Sequence, residues 1–366
     1  MRGSASRNRR TRSTLYCALT VKCYLATENW WGSPRGRMVV ESNISVGGIP
    51  NIAPAVDIVI VNWNSQSLLE DCVASLDQST IAARLNVIVV DNASQDGFAG
   101  RLAVRRMALQ VVVNANNLGF AAACNQGARK ADAPLLLFMN PDVRVEIDAV
   151  EKAAAYLAAP AHASVGIVGI QLLDAEGNVQ RSCARAPTAA ALLLHTLFLD
   201  RLWPTLVPPH FLAEWDHGET RFVDQVMGAF LMIRRSLFEQ LGGFDERFFL
   251  YYEDVDLCLR ARQAGWSVVH FAGARAQHTG GGATEAVKDR RLFYLATSRV
   301  QYAAKRHGRV LAGILIAFVL LFEMPLRWFY ATVSRSPREG WLIIRATTLF
   351  WQNLPRLCLR IIGARE

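Results

Sequence analysis

The chain has 366 residues, of which 52% are hydrophobic and 19% are charged, and its formal net charge is +9. The length suits one large α/β domain with appendages or two modest domains, and the hydrophobic fraction is too low for a protein that crosses a membrane many times. The positive charge lies at the two ends, with a net charge of +7 over residues 1–37 and +10 over residues 288–366, so residues 38–287 carry −8. A nucleic-acid enzyme concentrates positive charge around its site, so this distribution argues against nucleic acid as a partner. A basic, apolar tail instead favours contact with an anionic membrane surface.

Residues 1–52 are predicted to form a disordered N-terminal extension, because they begin Arg-rich and have no sustained periodicity. The apolar stretch Leu15–Ala26 is interrupted by Lys22 and lacks a small-residue cleavage site, which disfavours a secretory signal. The seven cysteines are odd in number and form no Cys-x-x-Cys pair. Scattered cysteines of this kind are typical of reduced thiols in a cytoplasmic protein.

Short β-rich runs alternate with amphipathic stretches from Val56 onward. This alternation predicts a mostly parallel sheet covered by helices on both faces. The predicted strands all end in Asn or Asp, which are also ordinary turn residues. Because ligands of open α/β sheets bind beyond the carboxyl ends of the strands, four such ends together predict one polar crevice. The four predicted strands are Asp57–Val61, Val87–Val90, Gln110–Val113 and Leu135–Met139.

Two segments after the second and third strands have the composition of a nucleotide site. Asp91, in VDNASQDG, can accept a hydrogen bond from a base or from a ribose hydroxyl. Gly119, in NNLGFAAACNQGAR, is followed by small residues that would let a helix N-terminus approach a diphosphate. A dinucleotide-binding oxidoreductase would carry Gly-x-Gly-x-x-Gly after the first strand, where this chain has NWNSQS, so that class is disfavoured.

The fourth strand delivers Asn140 and Asp142, two residues apart, in the segment LLLFMNPDV. Residues at this spacing on an extended chain lie on the same side. Their oxygens suit Mg²⁺ or Mn²⁺, held jointly with the phosphates of a ligand. The alternative is that Asn-Pro-Asp forms an ordinary turn with no ligand.

Three carboxylates, Glu253, Asp254 and Asp256, precede an apolar-periodic run and follow four aromatic residues. Acidic residues stabilise the first turn of a helix, and that alone would explain them. Partial desolvation by the aromatic residues would instead favour a general base with a raised pKa. Farther on, His278 lies in the Gly-rich segment QHTGGGAT, either as a ligand or as an ordinary loop residue.

Taken together and in order from Val56 to Thr284, these motifs resemble the family 2 glycosyltransferases, most closely the rhamnosyltransferase-like branch. The resemblance implies the GT-A fold, an α/β fold with a Rossmann-like, mostly parallel sheet flanked by helices. The segments that carry it are VIVNWN, VVDNASQDG, NLGFAAACNQG, NPDV, DQVMGAFLMIRR, GGFDERFFLYYEDVDLCLRARQAG and QHTGGGAT.

The resemblance also implies contacts to a sugar nucleotide. Asp91 matches the position that contacts the nucleotide base, with Asn64 nearby and Asn125 directed toward the ribose and phosphates. Gly228 and Ala229 match positions that line the pocket of the donor sugar.

It further implies a metal site and a base. Asp142 takes the last position of an Asp-x-Asp motif whose first position is Asn140 here, and His278 matches a position that completes the metal shell. Asp254 falls on the second acidic position of a paired motif that supplies the base of inverting enzymes, with Glu253 beside it.

The implied function is an inverting, metal-dependent transfer of a sugar from a nucleoside diphosphate to a glycan or lipid-linked acceptor during cell-envelope polysaccharide synthesis. Rhamnose from dTDP-rhamnose is the family-level expectation for the donor. A catalytically silent sugar-nucleotide or polysaccharide-binding protein is the alternative, but such a protein need not keep both Asp142 and Asp254. A processive synthase would need several membrane spans and a Gln-x-x-Arg-Trp motif, and the sequence after Thr284 has neither.

The tail contains an apolar run over residues 308–333, interrupted by Glu323, Pro325 and Arg327. These interruptions favour a helix that lies on the inner face of the cytoplasmic membrane over one that spans it. The alternative is that the run packs on the catalytic domain as an additional helix. The predicted organisation is therefore an extension (1–52), a GT-A domain (53–287) and a helical, membrane-associating tail (288–366).

Overall fold

The computed structural model describes residues 55–199, 210–280 and 287–363, so the predicted extension lies outside the described residues. The strands are β1 Val56–Asn62, β2 Leu85–Asp91, β3 Ala108–Val113, β4 Leu135–Met139, β5 Val143–Val145, β6 Val165–Leu173, β7 Cys183–Ala184, β8 Arg221–Phe222, β9 Gln225–Val226, β10 Phe230–Arg234 and β11 Ser267–His278. The helices are α1 Ser67–Asp77, α2 Phe120–Ala128, α3 Ala149–Ala158, α4 Ala189–Thr196, α5 Arg235–Gln240, α6 Glu253–Gln263, α7 Lys288–His307, α8 Arg309–Phe318, a π-helical segment Val319–Glu323, α9 Met324–Val333 and α10 Pro337–Gly363.

The main sheet has the strand order β3-β2-β1-β4-β10-β6-β11-β5, with β8 paired to β11. The four strands predicted from the sequence are confirmed as β1 to β4, which pair in parallel. The sheet also contains antiparallel pairs, because β10 runs antiparallel between β4 and β6, and the end of β11 runs antiparallel to β5. The apolar run of β10 predicts burial but carries no signal of direction. The fold is therefore a mixed α/β sheet with flanking helices.

Apolar side chains on both faces of the sheet form the core. The side chains of α1 and α3 pack on one face, and those of α2, α5 and α6 pack on the other. All seven residues of β1 are buried, as expected for a strand covered on both faces. Each fully buried Val, Leu or Ile stabilises the fold by about 1.5–3 kcal/mol. This packing makes the sheet a rigid support for the loops at the carboxyl ends of its strands.

The C-terminal helices form a third apolar cluster with α4 and α6. In this cluster α7 contributes Tyr302 and Val300, which are almost fully buried, and α6 contributes Val255. Arg299 of α7 forms a buried ion pair with Glu323 of the π-helical segment. Lys305 and Arg306 of α7 form ion pairs with Asp256 of α6 at 2.7 and 2.8 Å, so charge as well as apolar packing ties the C-terminal helices to the domain.

The segment Arg309–Val333 is 25 residues long and, by length and composition alone, apolar enough to cross a membrane. Only part of it is buried, through Ala312, Leu315, Val319 and Met324. Of the twenty-one large hydrophobic side chains exposed among the described residues, fourteen lie in the last four helical segments. One face of this apolar run therefore packs on the protein, as in the alternative that the sequence left open, and the rest is uncovered.

Candidate active site

Asp91 ends β2 and is held in a network of short loops. Its Oδ1 accepts a hydrogen bond of 2.8 Å from the amide of Asn62, which ends the neighbouring β1. The hydroxyl of Ser94 also donates to Asp91 and accepts from the backbone N–H of Asn64 at 2.9 Å. The side chain of Asn64 accepts from the N–H of Gln95 at 2.7 Å. The structure thus brings Asp91 and Asn64 together, and adds Asn62 and Ser94 as residues that fix the carboxylate.

Gly119, just before α2, has φ +89° and lies against Phe249. A Cβ at this position would come within 2.7 Å of the carbonyl oxygen of Phe249. That oxygen accepts a hydrogen bond of 2.7 Å from the N–H of Phe120, and the N–H of Gly119 donates to Asn117. Close packing therefore explains Gly119, and these two N–H groups are engaged within the protein instead of being presented to a diphosphate. Its contact to the diphosphate stays a prediction.

Asn125 lies in α2, and its side-chain amide is hydrogen-bonded to the loop before α6. Its Nδ2 donates to the carbonyl of Phe244 and to Glu246, both at 2.9 Å, and its oxygen accepts from the N–H of Phe244 at 2.8 Å. It lines a surface cleft with Arg129 and Arg235 that does not include Asp91. The structure gives this side chain a bracing role, in contrast to the expected contact with ribose and phosphates.

The Gly228–Ala229 turn connects the predicted metal turn to the predicted base. The N–H of Asn140 donates to the carbonyl of Ala229 at 3.0 Å. The N–H of Gly228 donates to Oδ2 of Asp254 at 2.9 Å. The antiparallel pairing of β4 with β10 creates this arrangement, because it brings the end of one strand beside the start of the other. Three segments that are far apart in sequence therefore meet at one edge of the sheet.

Asp254 lies in the first turn of α6, after two residues with unusual backbone conformations. Tyr251 and Tyr252 both have φ +70°, a region that non-glycine residues adopt at a cost of about 1–3 kcal/mol and mainly at functional sites. Desolvation raises the pKa of Asp254, although the N–H groups of Gly228 and Val255 oppose that shift by donating to the carboxylate. A carboxylate with a raised pKa is suited to accept a proton near neutral pH.

The two neighbouring carboxyl groups have different environments. Glu253 is buried, and its Oε2 has no hydrogen-bond partner among the described residues. Burial together with nearby Asp254 raises the pKa of Glu253 well above the usual range. This shift favours the protonated form of Glu253, and its catalytic role stays a prediction. Burial would also raise the pKa of Asp256, but Arg260 and Lys305 outweigh it and hold that pKa below its ordinary value. Asp256 is thus a structural anion.

The predicted metal ligands Asp142 and His278 face each other, with 3.5 Å between Oδ1 and Nε2. Both side chains are almost fully buried, and the antiparallel pairing of His278 with Val143 sets their approach. Among the described residues, no group of three or more His, Cys, Asp or Glu side chains is arranged to hold a metal. One carboxylate and one imidazole nevertheless fit a divalent cation that takes its other ligands from phosphate oxygens. Asn140 is held in the same turn by its backbone, since its carbonyl oxygen accepts a hydrogen bond of 3.3 Å from the N–H of Val143.

Gln180 is a site residue that the sequence did not reveal. Its amide oxygen lies 2.9 Å from Nδ1 of His278, and its Nε2 donates to the carbonyl oxygen of the same residue at 2.7 Å. It precedes His278 by 98 residues and lies in a stretch without regular periodicity. No local signal could have paired the two.

The sequence is similar to known glycosyltransferases along much of its length. The family model "Glycosyl transferase family 2" matches residues 57–242, slightly more than half of the chain. The N-acetylglucosaminyl-diphospho-decaprenol L-rhamnosyltransferase of Mycobacterium tuberculosis is 30% identical over 233 residues, covering 60% of this chain and 75% of that protein. Rhamnosyltransferase WbbL of Escherichia coli is 27% identical over 163 residues, covering 44% of this chain and 59% of that protein.

Among solved structures, the mannosyltransferase PcManGT of Pyrobaculum calidifontis, in complex with GDP-Man and Mn²⁺, matches with a TM-score of 0.47 and 18% identity. The match covers 87% of this chain and 89% of that one. The family assignment rests on the sequence matches. The chain belongs to glycosyl transferase family 2, and is a rhamnosyltransferase-like glycosyltransferase.

Proposed function

We propose that this enzyme transfers one sugar from a nucleoside diphosphate to a hydroxyl of a glycan or lipid-linked acceptor, with inversion at the anomeric carbon. The observation that supports this most is the link from Asn140 through Ala229 and Gly228 to Asp254. It places a carboxylate of raised pKa beside the turn that carries Asp142. A binding protein would have no need of a desolvated carboxylate at that position.

Asp254 is the base in this proposal. The acceptor oxygen forms a bond to the anomeric carbon as its proton passes to the carboxylate of Asp254, and the bond from that carbon to the diphosphate breaks. Inversion follows because the nucleophile and the leaving group lie on opposite faces of the sugar. The N–H of Gly228 orients the carboxylate by donating to its Oδ2.

Asp142 and His278 are proposed to hold Mg²⁺ or Mn²⁺ together with the donor diphosphate, and Asn140 adds an amide beside them. A bound divalent cation would supply charge stabilisation for the departing diphosphate. Asp91 and Asn64 are proposed to contact the nucleoside.

Gly228 and Ala229 are proposed to line the pocket of the donor sugar. The nearest atom to a Cβ added at Gly228 would be Oδ2 of Asp254, at 3.6 Å. Gly228 therefore lies directly beside the carboxylate of the proposed base.

Two of the relatives are named rhamnosyltransferases, so rhamnose is proposed as the sugar and dTDP-rhamnose as its donor. The name of the mycobacterial relative describes a sugar on a diphosphate lipid as its acceptor. A lipid-linked acceptor of cell-envelope polysaccharide synthesis is therefore proposed for this chain also.

The acceptor proposal agrees with the uncovered apolar face of the C-terminal helices. Trp328, Phe329 and Trp341 are among its exposed side chains. Aromatic residues favour the headgroup boundary, and each basic residue near an anionic leaflet contributes about 1 kcal/mol. We propose that residues 308–363 attach the protein peripherally to the inner face of the cytoplasmic membrane. The GT-A catalytic unit is proposed to extend beyond residue 287 to His307.

The test is to incubate the purified full-length protein with a panel of sugar nucleotides and a lipid-linked saccharide diphosphate acceptor. Release of the nucleoside diphosphate and the anomeric configuration of the product are measured with Mn²⁺ and with EDTA. Acceptor-dependent release with dTDP-rhamnose, inversion and loss in EDTA would support the proposal. Retention of configuration, or full activity in EDTA, would contradict the mechanism while leaving the family assignment intact.

A further inference from the structure

We propose that Gln180 is a positioning residue, one that fixes His278 in the tautomer whose Nε2 carries a lone pair facing Asp142. The inference rests on the proposed metal-dependent function, since the lone pair would serve a cation. It concerns a residue that lies outside all the segments on which the family resemblance was recognised.

The hydrogen bonds of Gln180 determine where the protons lie. A main-chain carbonyl oxygen can only accept, so the NH₂ group of Gln180 must face the carbonyl of His278, at 2.7 Å. The amide oxygen is then left for Nδ1 of His278, at 2.9 Å. Because an amide oxygen also only accepts, Nδ1 must be the nitrogen that carries the proton. In a neutral imidazole the other nitrogen, Nε2, is then an acceptor.

That nitrogen faces the carboxylate of Asp142 at 3.5 Å, which is longer than a normal hydrogen bond. An acceptor nitrogen and a carboxylate oxygen at this separation, each on a side chain less than a tenth exposed, are a ligand pair that suits a divalent cation. The Nδ1–H···O bond to Gln180 would hold the imidazole ring in the orientation needed to bind such a cation.

Gln180 itself is firmly supported. Its N–H donates to the carbonyl of Leu172 in β6 at 2.8 Å. The preceding turn is closed by Asp174, which accepts from the N–H of Asn178 at 2.7 Å. The end of β6 pairs with the end of β11, so the turn and the histidine are supported by neighbouring strands. The amide is therefore held in place before any ligand arrives.

The test compares three variants of the full-length protein. Gln180→Met removes both hydrogen bonds at similar length. Gln180→Glu keeps an acceptor opposite Nδ1 but loses the donor to the carbonyl. Asn178→Ala loosens the same turn, where its amide reaches Asp174, without touching His278, and serves as the control.

Two measurements are made on each variant. The ¹⁵N shifts of His278, assigned with His278→Gln, give the tautomer ratio without metal. The affinity for Mn²⁺ in the presence of a nucleoside diphosphate is measured from the electron paramagnetic resonance of free Mn²⁺. We expect Gln180→Met to mix the tautomers and to weaken Mn²⁺ binding by about 10–100-fold. Gln180→Glu should keep the Nδ1–H tautomer and bind Mn²⁺ within about threefold of the wild type, as should the control.

The proposal is overturned if Gln180→Met leaves the tautomer ratio unchanged, or if Asn178→Ala shifts it as far, which would mean that the turn alone matters. It is also overturned if Gln180→Glu loses the Nδ1–H tautomer. If the wild type binds no Mn²⁺, the proposed metal dependence fails, and the tautomer ratio still decides the role of Gln180.

Discussion

Replacing Asp254 by Asn is the most direct test of the assigned base. The substitution keeps the shape of the side chain but removes the proton acceptor, so kcat is expected to fall by about 10²–10⁴, equivalent to about 3–5 kcal/mol. A second effect follows from the geometry, because both carboxylate oxygens accept backbone hydrogen bonds, from Gly228 at 2.9 Å and from Val255 at 2.7 Å. Asn can satisfy only one of them, and the unsatisfied N–H is expected to lower the stability by about 1–3 kcal/mol.

The assay measures nucleoside-diphosphate release at saturating donor and acceptor, together with the KM for the donor and the thermal midpoint. Loss of the base should appear in kcat with the donor KM little changed, whereas a misplaced Gly228 turn would raise that KM. In the wild type, kcat should fall on acidification through the raised pKa of Asp254, at a pH above the range of an ordinary Asp. Turnover above about a tenth of the wild type in the Asn variant would refute the assignment.

Three further predictions concern neighbouring features. Asp142→Ala should weaken Mn²⁺ and donor binding together, measured by titration calorimetry; donor affinity that stays unchanged in the variant and in EDTA would argue against the metal site. Because burial raises the pKa of Glu253, the folded protein keeps a proton that the unfolded chain releases above about pH 4.3, so stability declines as pH rises by at most about 1.4 kcal/mol per unit. The Gln side chain of Glu253→Gln cannot ionise, so the stability of this variant relative to the wild type, measured by thermal unfolding, should rise from pH 5 to pH 8. A stability difference that stays constant over this range would contradict the burial of a protonated Glu253. Replacing the exposed Trp328 and Phe329 by Ser should leave the thermal midpoint unchanged and reduce co-sedimentation with anionic vesicles. Phe222→Ser, at an exposed site in the catalytic domain, is the control and should not reduce co-sedimentation. Equal vesicle binding by the wild type and both variants would contradict the membrane proposal.

The sequence predicted the features that depend on local pattern. The apolar runs of β1 to β4 and the polar residues at their ends were recognisable because strand burial and turn formation depend on residues that are adjacent in the sequence. The direction of β10 was not recognisable, since it depends on a pairing with β4 across about ninety residues of chain.

The same limit applied to the site. Glu253, Asp254 and Asp256 are all carboxylic acids within four positions of the sequence. Their environments differ because of long-range contacts, above all the ion pairs of Lys305 and Arg306 with Asp256. The contact of Asn125 with Phe244 could not be predicted for the same reason, since the periodicity of α2 indicates which face of the helix the residue lies on but not its partner.

The contacts between α7 and α6 also have a consequence for how the enzyme is made. On the ribosome, all the segments that mark the family have been synthesised by Thr284, but Lys305 and Arg306 have not. Until they emerge, Asp256 lacks two of the three cations that form ion pairs with it among the described residues, and burying an incompletely paired charge is costly, by about 3–5 kcal/mol when a buried partner is removed. We therefore expect the catalytic turn to assemble only after α7 has been translated, shortly before the apolar helices that follow it. Nascent chains stalled before residue 300 should therefore bind no sugar nucleotide. The growing chain would gain the ability to bind its donor at almost the same time as its apolar surface leaves the ribosome.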